Sequence, residues 1–160
     1  MSTGWMTTRR QPVEIRLSDR SVRGDIHLQP VARLHGGPET PADLLNRNEN
    51  FFALMVDGEQ PLFVAKAQVL YLAFPAGSAI DDPDRASAAR RIELEIELAD
   101  GSRLEGVVMI ELPPDRLRAL DFLNAAPDFF PLWTPELVRI VNRHHVRAAS
   151  PVADVGRAAP

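Results

Sequence analysis

Hydrophobic and polar residues alternate in short runs along most of this chain. Val13, Ile15 and Leu17 are separated by Glu14 and Arg16. Val22, Gly24, Ile26 and Leu28 are separated by Arg23, Asp25 and His27. A period of two sends one face of each run to a core and the other to water, which predicts two strands joined by the polar turn Ser18 to Ser21. Gly24 inside the second strand predicts a bend or a close backbone approach. Pro30 ends the pairing, because it has no N–H to give. A loop rich in glycine and proline follows. Thr40 or Pro41 then opens a short helical turn through Asp43-Leu44-Leu45-Asn46. Phe51 to Val56 reads as a third strand, Asp57-Gly58 as a hairpin turn, Leu62 to Val64 as a fourth strand and Val69 to Phe74 as a fifth.

The same pattern then returns. Ile92, Leu94, Ile96 and Leu98 alternate with Glu93, Glu95 and Glu97; Asp100-Gly101 makes the turn; Leu104, Gly106, Val108 and Ile110 follow. Arg116 to Asn124 reads as a short helix. Phe129 to Trp133, Leu137 to Val141 and Val146 to Ala149 read as three more strands. The clearest echo is a phrase: Asp43-Leu44-Leu45-Asn46 running on to Phe51-Phe52 is matched by Asp121-Phe122-Leu123-Asn124 running on to Phe129-Phe130, at an offset of 78 residues throughout. Two copies at one offset make an internal repeat, and a repeat sets the architecture. The expectation is a mainly β protein of two tandem five-stranded units, each with a short helix after its second strand. A flexible tail spans 1–11, the first unit 12–74, a linker 75–90, the second unit 91–150 and a C-terminal tail 151–160.

Strongly bent five-stranded units with a glycine in strand two resemble SH3-like small barrels. The order Gly24, Asp43, Asn46, repeated as Gly106, Asp121, Asn124, resembles the first motif of the Sm-like family. Gln68-Val69-Leu70-Tyr71-Leu72 is similar to the end of that family's second motif. The resemblance implies two tandem SH3-like (Sm-like) barrels and single-stranded RNA binding as one function. The Arg-Gly pair that holds bases in the family is replaced by Ala65-Lys66 and Asn142-Arg143. The Asp-x-Leu-Asn and Phe-Phe phrase is also similar to an uncharacterised bacterial domain family.

Composition narrows the chemistry. The chain of 160 residues has no cysteine, so disulfides and thiolate metal sites are excluded. The net charge of −4 argues against a general phosphate binder, which usually carries a basic excess. The first eleven residues lack the apolar stretch of a secretory signal, and no run is long enough to span a membrane, so a cytoplasmic location is expected. Trp5 in the tail reads as a loose anchor onto the fold or as a partner contact.

No nucleotide-binding loop, nucleophile elbow or zinc-protease helix motif is present, and no cofactor is implied. His144-His145 on a strand would point to opposite faces, and His27 and His35 lack a carboxylate pattern beside them. Asp81, Asp82 and Asp84 read as a solvated linker. Glu93, Glu95 and Glu97 read as a solvated strand face, or as protection of a sheet edge. Asp43, Asn46, Asp121 and Asn124 could cradle a ligand, but read more simply as caps and turn residues. Of Phe51 and Phe52, and of Phe129 and Phe130, one ring must point inward and one outward. With Trp133, the outward rings mark a surface for protein contact or the seam between the units. The sequence therefore points to a non-catalytic interaction or assembly module whose partner is protein, itself or another. The alternative is an Sm-like binder of single-stranded RNA.

Overall fold

The computed structural model describes residues 8–32, 36–78, 90–111, 113, 115 and 118–152. It is mainly β. Among the described residues, ten strands form one antiparallel sheet: β1 (Arg9–Arg16), β2 (Ser21–Leu28), β3 (Phe51–Val56), β4 (Gln60–Ala65), β5 (Tyr71–Pro75), β6 (Arg90–Leu98), β7 (Arg103–Ile110), β8 (Phe129–Trp133), β9 (Leu137–Asn142) and β10 (Val146–Pro151). Two short helices, α1 (Pro41–Leu45) and α2 (Ala119–Ala125), follow the second strand of each half. None of the described helices is long and apolar enough to cross a membrane. Trp5, His35 and most of the stretch 75–90, with its aspartates, lie outside the described residues.

All ten expected strands are present. The strand order across the sheet is β10-β6-β7-β8-β9-β5-β1-β2-β3-β4, so each half shows the same internal order. The halves meet where β5 pairs with β9, Tyr71 opposite Val141 and Pro75 opposite Leu137. Among the described residues the sheet does not close; β10 and β4 are its two ends. β1 begins at Arg9 and Gln11 is buried, so residues 9–11, read from the sequence as part of a tail, belong to the first strand. β6 lies between β10 and β7, so its glutamates do not guard an edge. Glu95 faces Arg103 and Glu97 faces Arg147 instead.

Local chemistry accounts for the junctions. Thr40 and Asp43 form a reciprocal capping box at the start of α1, with Pro41 in its first turn. Asp57 and Gly58 both adopt positive φ in the β3–β4 turn, and Gly101 does so between β6 and β7. Gly24 and Gly106 have a steric reason in common. A Cβ on Gly24 would sit 2.5 Å from the Met55 carbonyl oxygen, and one on Gly106 would sit 2.7 Å from Leu132 Cγ. Each glycine lets the second strand press against the third; at Gly24 this is the close approach, one of the two readings given above, and Gly106 shares it.

Two apolar clusters fill the interior. The first is built on Ile15, Ile26, Leu54 and Leu72, and it also takes in Phe129, Val138 and Ile140 from the second half. The second is built on Leu94, Ile96, Val108 and Phe130, and it takes in Leu70 from the first half. The cores therefore interlock across the β5–β9 joint.

Candidate association surface

The joint between the halves is held by side chains reaching across it from both sides. α1 supplies its first element. Asn46 follows the last turn of α1, its backbone N–H bonded to the Ala42 carbonyl, so its side chain is free to reach across. Its amide grips the main chain of Phe129 at two points: Nδ2 donates to the Phe129 carbonyl at 2.9 Å, and Oδ1 accepts from the Phe129 N–H at 2.9 Å. An amide can do this because it carries a donor and an acceptor side by side. The Phe129 main chain is available because its register opposite Asn142 is a non-hydrogen-bonded pair; the adjoining Arg143 N–H goes to Asp128.

A second asparagine works from the other side. Asn142 is buried, donates through Nδ2 to the Val69 carbonyl at 3.0 Å, and donates its backbone N–H to Leu70. Its Oδ1 accepts from the His144 N–H at 2.9 Å. His145 Nε2 lies 2.7 Å from the Ala67 carbonyl, so that nitrogen is the protonated donor. Arg139 stacks over the Tyr71 ring, its guanidinium carbon 5.5 Å from the ring centre. Arg16 reaches Asp100 at 3.4 Å. Asp100 is held below the ordinary carboxylate range, first by its hydrogen bonds from Ser102 and then by Arg16.

Asp43 bonds the Thr40 N–H, while Asp121 pairs with Arg118 at 3.0 Å and Asn124 is exposed on α2. Phe52 and Phe130 point inward, one to each core. Phe129 is also buried, in the seam, and Trp133 packs partly buried against the first core. Phe51 remains exposed. His144 and His145 lie in a 3-10 turn, not on a strand, with His144 2.9 Å from Asp128. No group of three or more potential metal ligands occurs among the described residues.

The contrast between equivalent residues defines the surface. Register equates β3–β4 with β8–β9: Phe51 opposite Ala65 corresponds to Phe129 opposite Asn142, and Ala53 opposite Phe63 to Pro131 opposite Ile140. Phe129 is 4% exposed and Ile140 0%, both sealed against the first half. Phe51 is 58% exposed and Phe63 69%. Phe63 had no special place in the sequence reading. The signal that would have found it is its alignment with Ile140 inside a repeat whose halves touch. A cleft of about 550 Å³ lies beside this face, lined in part by Asn46, Arg47, Phe51, Lys66, Asp128 and His144. The Lys66 ammonium is turned inward to the Arg47 carbonyl at 3.1 Å.

No family model, no curated protein and no solved structure matches this chain.

Proposed function

We propose that the protein is a non-catalytic, cytoplasmic interaction or assembly module made of two SH3-like, Sm-like units joined edge to edge. The strand order repeated in each half and the pinched glycine in each second strand support that reading of the units. One observation carries the function. Phe51 and Phe63 are diagonal neighbours on paired strands and are exposed, while Phe129 and Ile140 at the same positions of the other half are buried in the contact between the two halves. Large apolar side chains grouped on a surface mark association sites more often than single ones do. Aromatic rings are also the side chains that dominate contact energies.

A photo-crosslinking residue placed at Phe63, in cells that naturally make the protein, tests this reading. Protein adducts are expected at position 63, and far fewer at the exposed control position Glu105. Equal or absent labelling at both positions would overturn it.

A further inference from the structure

The reading of the Phe51–Phe63 face as an association surface leaves its partner open, and the following rests on that reading. We infer that the partner is a second copy of this chain, bound head to tail. The contact between β5 and β9 inside each molecule is repeated, with the corresponding elements, between β10 of one molecule and β4 of the next.

Both ends of the molecule support this. At one end are Phe51 and Phe63, the counterparts of the seam residues Phe129 and Ile140. At the other end, α2 holds the counterparts of the residues that receive Phe129. Leu44 and Leu45 are buried beneath the seam, whereas Phe122 and Leu123 at the same positions of the repeat are only partly buried. Asn46 is engaged on Phe129, whereas Asn124 stands exposed. One half of the joint is therefore displayed at each end of the chain. A second molecule would bring Asn124 against the main chain of Phe51, as Asn46 meets Phe129.

The hydrogen-bonding directions agree. The Lys66 N–H bonds the Asn50 carbonyl, which places Ala65, Phe63 and Pro61 with their main-chain groups turned away from β3, toward the open edge. The Val152 N–H bonds the Glu93 carbonyl, which turns Ala149 and Pro151 away from β6 in the same manner. The repeat sets Ala149 where Leu72 stands and Phe63 where Ile140 stands, a pair whose internal counterparts lie opposite one another. Each can give an N–H and accept on a carbonyl. Pro61 and Pro151 fall at the next bonding positions, in place of Val138 and Phe74, and proline cannot donate. The intermolecular ladder is thus shorter than the internal one, and Ala149 fills less space than Leu72. The contact is reversible where the internal joint is permanent.

Such a contact uses two different faces, so it builds a ring or an open chain of molecules and not a twofold dimer. Sedimentation velocity on the full chain from micromolar to millimolar concentration tests this. Two variants each disable one face at an exposed position: Phe63→Glu and Asn124→Glu. The wild type is expected to gain mass with concentration. Each variant alone is expected to associate at least about tenfold more weakly, a change of about 1.4 kcal/mol. An equimolar mixture is expected to form a one-to-one dimer and nothing larger, because one intact face of each kind remains. Thermal melts like that of the wild type show that both variants fold.

A wild type that stays monomeric throughout overturns the inference. So does a Phe63→Glu variant that assembles as well as the wild type, or a mixture that stays monomeric when the wild type assembles. Crosslinking at position 63 to a different protein, with a monomeric wild type, would sink self-association and leave the interaction module standing. Absence of both signals would remove both.

Discussion

Asn46 shows how one side chain can hold two halves of a chain together. Its amide satisfies a carbonyl and an N–H of Phe129 that would otherwise face the seam without partners. Each such bond contributes roughly 1 kcal/mol, and more if its loss leaves a buried group unsatisfied. Asn46→Ala is therefore expected to lower unfolding stability by about 2 kcal/mol. Urea denaturation checks this, and Asn124→Ala serves as the control. Asn124 is exposed, so its truncation is expected to change the stability of dilute protein by less than about 0.5 kcal/mol. The sequence places both asparagines in the same phrase and cannot separate them. Capping chemistry explains an asparagine after a short helix equally well in both copies. Only the position of the other half shows that one of them has a second task.

The same division runs through whole strands. β9 sends Val138 and Ile140 into the first core, while β4 leaves Pro61 and Phe63 exposed at the equivalent places. Ile140→Ala is expected to cost about 2–5 kcal/mol, because it removes a fully buried side chain and leaves a cavity. Phe63→Ala is expected to change stability by less than about 0.5 kcal/mol, or to raise solubility. Chemical denaturation of both variants in dilute solution reads the contrast. The ten strands were legible because alternation, glycine turns and prolines are local signals, and they recur in both copies. The joint was not legible. β5 and β9 are separated by some sixty residues, and β9 carries Val138, Ile140 and Val141 much as any buried strand would. Periodicity says that a strand has a buried face but does not say which strand lies beside it. The glutamates of β6 show the same limit: their charge fits a solvated strand face or a guarded edge equally well, and only the pairing of β10 along that strand rules out the edge.

At the scale of the molecule, a sheet with one internal joint presents two unlike ends. Open edges are a hazard that proteins restrain with proline and charge. Pro61 and Pro151 shorten what the ends can pair, and Arg147 beside Glu97 adds charge where Leu70 is apolar. These substitutions weaken contact between molecules relative to the joint within one, and they leave Phe51, Phe63 and Asn124 displayed. Amide hydrogen exchange at Phe51 and Phe63, compared between dilute and concentrated solution, tests the repeated joint most directly. Both amides are expected to slow as concentration rises, Phe51 through Asn124 and Phe63 through Ala149 of the neighbouring molecule. Phe129 and Ile140 are expected to exchange slowly at every concentration. Exchange at Phe51 and Phe63 that is fast and independent of concentration would contradict it.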